Sequence, residues 1–291
     1  MAESAIVTNQ LSKRYGRVLA LDGVCLHLGR GIIYGLVGKS GAGKSTFLRV
    51  VSGLQDPSSG GYELFGTDCA DRAIERERRR VGLVAEGWSL IPNRTVSANL
   101  KRQCRLLGLP GEKRVDEVLQ LTGLTEFAAV KAENVPAEKQ AVAAIAMALC
   151  GSPDLLLLDD VFAGMSAQAK NDTEMLLKQL KQEFQMTILV TSVDPEVLSN
   201  IADQFGILDH SELRRELSAE ELSAMRETTL CVRVTDTNAL ARVLVAKSLK
   251  HRILNSDTAE IYGKPNITEL VMVLAKEGCE VLCMEERNDL K

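Results

Sequence analysis

The stretch that most constrains this chain is Gly38 to Thr46. It reads GKSGAGKST and fits G-x-x-x-x-G-K-[ST] at every fixed position. The apolar run Ile32 to Val37 ahead of it reads as a buried strand, and Phe47, Leu48, Val50 and Val51 behind it suit a helix. Strand, glycine loop and helix in that order are the context in which such a loop cradles phosphates. Gly38, Gly41 and Gly43 let the backbone turn tightly and aim N–H groups at phosphate oxygens. Lys39, Ser40, Ala42 and Thr46 complete the cradle. The helix then starts with its positive dipole end toward the anion. Lys44 is expected to reach the β- and γ-phosphates, and the Ser45 hydroxyl to ligate Mg²⁺. The expected ligand is a nucleoside triphosphate.

Composition excludes several alternatives. The chain has 291 residues, 45% of them hydrophobic and 25% charged, enough for more than one domain. Its net charge of −4 leaves no electrostatic footprint for nucleic acid. The densest basic run, Arg78 to Arg80, follows Glu75 and Glu77 and reads as a solvated helix face. The seven cysteines form no CxxC pair and only three histidines accompany them, which argues against zinc and for reduced thiols. Cys279 and Cys283 are expected on one face of the last strand, where burial as small hydrophobes outweighs a paired redox role. No basic-then-apolar signal segment opens the chain. The longest apolar run, Ala141 to Cys150, falls well short of the ~20 residues of a membrane span. A soluble protein is expected, with any membrane role exercised through a partner.

Short alternating stretches over residues 5 to 34 read as strands of an antiparallel layer, with Tyr15 just ahead of one of them. A charged helix over 71–80 and a strand with Val81, Leu83 and Val84 follow. From about 97 to 150 the pattern is helical, ending in the apolar helix Ala141 to Leu149. Leu155 to Leu158 reads as a strand buried on both faces, as in a parallel sheet. Next come a helix carrying Met175, Leu176, Leu180 and Phe184, the strand Thr187 to Val190, a helix near Pro195 to Ala202, and the strand Phe205 to Leu208. A charged boundary over 210–228 holds a possible capping box, Ser218 to Glu221. The rest reads as β-α-β-β-α-β, the ferredoxin-like order, with strands at Leu230 to Val234, Ile253, Ile261 and Val281.

LLLLDD, Leu155 to Asp160, is an apolar strand ending in carboxylates, and Asp159 at its end is placed to hold Mg²⁺, the alternative being an aspartate that caps the next turn. Together these segments resemble the ATP-binding cassette (ABC) ATPases that power transporters, over about residues 5 to 210. The resemblance is nearest to cassettes of bacitracin- and lantibiotic-type export and immunity systems. It rests on Val81 to Leu100 (VGLVAEGWSLIPNRTVSANL), Ile145 to Pro153 (IAMALCGSP) and the C-terminal β-α-β-β-α-β tail. It implies that Tyr15 stacks on adenine and that Glu86 sits near Mg²⁺ and senses the γ-phosphate. Leu90 and Ile91 would lie on a surface meeting the membrane partner, as would Trp88, for which a core-filling place is equally open.

The chain departs from that family in four devices. Aligned backwards from IAMALCGSP, the LSGGQ signature reads Val135-Pro136-Ala137-Glu138-Lys139. Pro136 offers neither hydroxyl nor N–H to a γ-phosphate, and the Glu138 carboxylate would repel one. The catalytic carboxylate after the acidic strand end is Asp160, one methylene shorter than the usual glutamate. Val193 stands where a histidine is usual, and Ser166 where an aspartate is.

The fold class expected is an α/β phosphate-loop ABC-ATPase core, a parallel sheet with an antiparallel layer and a helical subdomain, joined to a small α+β ferredoxin-like domain. The expected division is a cassette over 1–210 with its helical subdomain at about 97–150, a linker over 211–228, and an accessory domain over 229–291. The resemblance implies an ATP-binding subunit using ATP and Mg²⁺, with impaired hydrolysis. It would act beneath a separate membrane permease, at the inner face of the cell membrane. It would pair with a second cassette, either a copy of itself or an intact paralogue. The alternative reading is a non-transporting, ATP-binding regulatory module. For the C-terminal domain, packing and dimerisation outweigh ligand sensing.

Overall fold

The computed structural model describes residues 4–85, 90–221, 229–247, 249–262 and 266–287. The chain divides into two units, Met1–Ala219 and Glu220–Lys291.

The first unit opens with β-branched and leucine-rich alternation. This forms the antiparallel strands β1 (Ser4–Tyr15), β2 (Val18–Val24) and β3 (His27–Gly29), later joined by β5 (Ser59–Leu64) and β6 (Thr67–Asp68). β1 is the hub, pairing with β2, β3 and β5. A second sheet runs β11-β10-β4-β9-β8-β7, with β4 (Ile33–Val37), β7 (Val81–Val84), β8 (Leu155–Leu158), β9 (Thr187–Ser192), β10 (Gln204–Asp209) and β11 (Glu212–Ser218). Its inner strands are parallel, and β11 closes one edge antiparallel to β10. Every residue of β4, β8 and β9 is buried, which is why β4, β8 and the centre of β9, Ile188 to Val190, show no polar alternation. Leu36, Phe47, Leu48, Leu155 and Leu157 share one core with Leu11, Leu21 and Tyr62 of the antiparallel layer.

The helices of this unit are α1 (Lys44–Val51), α2 (Ile74–Arg78), α3 (Val96–Leu106), α4 (Gly111–Leu121), α5 (Ala137–Leu149), α6 (Ala167–Phe184) and α7 (Pro195–Leu198). Helix α3 starts at a Thr95 cap that accepts from the Ala98 N–H at 3.1 Å. Arg114 of α4 donates to the Leu149 and Cys150 carbonyls at 2.5 and 3.2 Å, satisfying the C-terminal end of α5.

The second unit has the strand order β13-β14-β12-β15, antiparallel throughout. Its elements are β12 (Thr229–Val234), α8 (Thr237–Ala246), β13 (His251–Ile253), β14 (Thr258–Tyr262), α9 (Ile267–Lys276) and β15 (Val281–Arg287). Leu230, Val232 and Val234 pack against Leu240, Leu244, Leu270 and Leu274 in a core of their own.

Several local expectations are corrected. The charged helix over 71–80 is the short turn of α2, and α5 begins at Ala137, ahead of the apolar run. Met175 and Phe184 lie on the exposed side of α6, whose buried face is Thr173, Leu176, Leu177 and Leu180. Glu212–Ser218, read as the start of a linker, is the strand β11, because six backbone pairs with β10 outweigh its charged composition. Cys279 precedes β15 and is buried, its thiol donating to the Asp236 carbonyl at 3.2 Å, while Cys283 on the strand is exposed. The two thiols therefore do not share a face. Among the described residues no helix is long and apolar enough to cross a membrane.

Candidate functional site

Parallel strands deliver their C-terminal ends to one edge of a sheet, where ligands of such folds gather. Here β8, β9 and β4 are neighbours, with Leu158 opposite Val190 and Ser192 opposite Val37. The residues just past those ends are Asp159 and Asp160, Val193, and the Gly38 loop. Backbone contacts tie neighbouring ends together: Gly38 N donates to the Ser192 carbonyl at 3.2 Å, and Asp159 N to the carbonyl of Val84, the last residue of β7, at 2.8 Å.

The loop glycines serve different needs. A Cβ on Gly38 would lie 2.2 Å from the Leu208 carbonyl oxygen, so close backbone approach excludes any side chain there. Gly41 has φ +80° with open space around it. Gly43 has φ +110°, and a Cβ there would also meet the Ala20 carbonyl oxygen at 2.3 Å. Gly43 is the N-cap of α1, which has no side-chain cap and no acidic residue in its first turn. Its first N–H groups are thus left to a ligand, and an anion is what the dipole favours there. The Lys44 ammonium folds back onto the loop, donating to the Gly38 and Lys39 carbonyls at 2.5 and 3.0 Å. Lys44 is only 7% exposed, and burial lowers its pKa against the opposing pull of Asp160 and Asp159.

These groups surround a cavity of about 550 Å³. Ser40, Gly41, Gly43, Lys44, Ser45 and Thr46 line it from the loop side. Asp159, Asp160 and Val193 line it from the strand ends, and Gln140, Ala141 and Ala144 from α5. Asp159 is 7% exposed; its Oδ1 accepts from the Thr191 hydroxyl at 2.9 Å, while Oδ2 is buried with no hydrogen-bond partner among the described residues. A buried carboxylate oxygen without a donor is costly, and a hard divalent cation answers that need. The Ser45 hydroxyl lines the same cavity, so the donor set fits Mg²⁺. Asp160 takes φ +48°, and its N–H donates to Thr191 Oγ1 at 3.0 Å.

Other expected residues are placed differently. Tyr15 is 41% exposed and hydrogen-bonded to Gln55, with the Lys13 ammonium 5.4 Å from its ring centroid; it is not among the cavity-lining residues. Leu90 is buried and lines the cavity, a correction to its expected place on a partner-facing surface. Ile91 is half-buried, its N–H donating to Asn99 Oδ1 at 2.7 Å. Glu86 and Trp88 lie outside the described residues. Val193 is 52% exposed at the cavity and offers no hydrogen bond from its side chain.

Pro136 is the N-cap of α5, and Gln140 Nε2 reaches back to the Val135 carbonyl at 2.8 Å. The Glu138 carboxylate accepts the Ser166 N–H at 2.7 Å, which holds its pKa below the usual carboxylate range. Ser166 is the N-cap of α6, its hydroxyl accepting from Ala169 N at 3.3 Å. Sequence reasoning missed Thr191 and Gln140. The signal for Thr191 was present: a hydroxyl residue ending the apolar run Ile188 to Val190 beside an acidic strand end.

Comparison with known proteins gives a consistent picture. The family model described as ABC transporter matches residues 21–163. The methionine import ATP-binding protein MetN of Brucella abortus is 34% identical over 215 residues, covering 70% of this chain and 57% of that protein. The chain thus spans little more than half the length of that relative. MetN of Rhodospirillum rubrum is 30% identical over 273 residues, covering 88% of this chain and 72% of that protein. Among solved structures, the dimeric post-hydrolysis state of the ATP-binding cassette MJ0796 bound to ADP and Pi superposes with a TM-score of 0.66 at 26% identity. It covers 74% of this chain and 98% of that one.

Proposed function

This chain belongs to the ATP-binding subunits of ABC transporters, and from that premise we propose that it binds ATP with Mg²⁺ in the cavity between the Gly38 loop and Asp159. The single observation carrying the proposal is the buried Asp159 Oδ2, without a hydrogen-bond partner among the described residues, on a side chain that lines the same cavity as Lys44 and Ser45. In this reading the backbone N–H groups of Gly38 to Thr46 hold the phosphates, Lys39, Ser40 and Ala42 among them. Lys44 leaves the Gly38 and Lys39 carbonyls to pair with phosphate. Ser45 and Asp159 hold the cation, Glu86 stands near it, and Tyr15 turns from Gln55 toward adenine. When bound, the cation neutralises charge on the transferring phosphoryl group. Titrating ATP with Mg²⁺ into the purified chain tests this: saturable binding that Lys44→Ala abolishes is expected, and no signal with the wild-type chain rejects it.

Hydrolysis in this reading is slow. Asp160 as base is a methylene short, Val193 brings no hydrogen-bond donor to the γ-phosphate, and Pro136 offers no N–H. The proposed role is a switch set by ATP occupancy, with turnover a minor route to reset it. Phosphate release at ordinary cassette rates, lost in Lys44→Ala, rejects the impairment.

The proposed setting is the inner face of the cell membrane, beneath a separate permease and paired with a second cassette, either a copy of itself or an intact paralogue. The cassette is assigned to 1–219, with β11 as its edge strand, and the accessory domain to 229–291. The export or immunity type is supported by Val81 to Leu100, Ile145 to Pro153 and the C-terminal β-α-β-β-α-β order. A second reading, methionine import, is favoured by the R. rubrum relative, whose match covers 88% of this chain and so reaches beyond Ala219. Co-purification from native membranes separates them. A permease whose reconstituted complex answers to a peptide antibiotic supports export, one that answers to methionine supports import, and soluble partners alone support a non-transporting regulatory module.

A further inference from the structure

Thr191 follows the apolar run Ile188 to Val190 of β9 and is fully buried, and both functions of its hydroxyl are engaged across the β8–β9 pair. Its Oγ1 lies 2.9 Å from Asp159 Oδ1 and 3.0 Å from Asp160 N. The direction of each bond follows from chemistry. A backbone N–H can only donate, so Oγ1 accepts from Asp160; an ionised carboxylate can only accept, so the hydroxyl proton points at Asp159. Oδ1 is occupied this way and the Asp159 N–H is pinned to the Val84 carbonyl at 2.8 Å, while Oδ2 is left without a partner among the described residues. The second bond falls on Asp160, whose φ of +48° is a left-handed conformation that needs support in a residue other than glycine.

We propose that Thr191 is the positioning residue of this site: its hydroxyl aims Asp159 Oδ2 at a divalent cation and holds the Asp160 backbone in the conformation that turns it into the cavity. This deepens, and rests on, the reading of Asp159 as a cation ligand. Thr191 is buried and is not among the residues lining the cavity. It acts as an outer-shell partner, the kind of group whose loss weakens metal binding while leaving the ligand itself in place.

Calorimetric titration of the full chain with ATP, once with Mg²⁺ and once with EDTA, reads the cation's contribution as the ratio of the two affinities. Thr191→Val keeps the shape and removes the hydroxyl; it is expected to cut the Mg²⁺-dependent gain about tenfold while leaving the affinity in EDTA within about twofold. Thr191→Ser is expected to restore the gain. Asp159→Asn is expected to abolish it. If Asp159→Asn keeps the gain, or wild type has none, the cation reading of Asp159 fails. If Asp159→Asn loses the gain and Thr191→Val keeps it, or loses affinity equally with and without Mg²⁺, the Thr191 proposal is overturned. Should Thr191→Val not fold, Thr191→Cys, with its weak donor, is read against Thr191→Ser by the same ratio.

Discussion

At Gly43 the backbone has φ +110° and faces the Ala20 carbonyl, so two independent constraints meet at one residue. A left-handed conformation costs a β-carbon residue roughly 1–2 kcal/mol before any clash is counted. Gly43→Ala is therefore expected to lower the melting temperature and to weaken ATP binding at least about tenfold, since the loop shifts just where α1 begins. Thermal melting and nucleotide titration of the one variant check both. Gly41, with a positive φ but open space, is expected to tolerate alanine better. Asp160 and Val193 test the other side of the cavity. If reach and a missing donor limit turnover, Asp160→Glu combined with Val193→His is expected to raise phosphate release about 100-fold, the scale of a 1 Å misplacement. No acceleration in the double variant refutes that account.

Among the elements, α5 and α6 are joined at their N-terminal ends by Glu138, which accepts the Ser166 N–H at 2.7 Å. The bond satisfies a donor at the α6 cap and puts negative charge at a helix N-terminus. It also changes how the substitution at Glu138 reads: the carboxylate is turned onto its own chain. Because the Ser166 N–H depresses the Glu138 pKa in the folded state, the sign of the pH effect follows. The stabilisation is present above the ordinary carboxylate value and is lost as pH falls through the lower folded value. Melting curves of wild type and Glu138→Gln are expected to differ at neutral pH and to converge in acid. Parallel curves at all pH values contradict this. The strand β8 responds to packing instead. Leu157 is fully buried in the shared core, and Leu157→Ala is expected to cost ~2–5 kcal/mol by urea denaturation.

At the scale of the whole molecule, each of the two units has its own hydrophobic core, one centred on the first unit's sheets and the other on β12, α8 and α9. Every residue lining the cavity beside the Gly38 loop lies in the first unit. A fragment of residues 1–219 is accordingly expected to fold and to bind ATP within about threefold of the full chain. Loss of binding in a folded fragment of that length contradicts the assignment of the site to the first unit alone.

The amino-acid sequence by itself determined the elements whose signal is local. The glycine loop with its lysine, the leucine run ending in Asp159, and the β-α-β-β-α-β order of the tail each lie within a few residues of their own explanation, and the fold class followed from them. Tertiary structure decided what depends on distant partners. Thr191 meets Asp159 from 32 residues away and Glu138 meets Ser166 from 28, separations at which no periodicity carries information. The same reason put Leu90 inside the cavity, Tyr15 against Gln55, and Cys279 away from the face of Cys283. A strand's register and a helix's exposed side are settled by what packs against them, and that is a property of the folded chain.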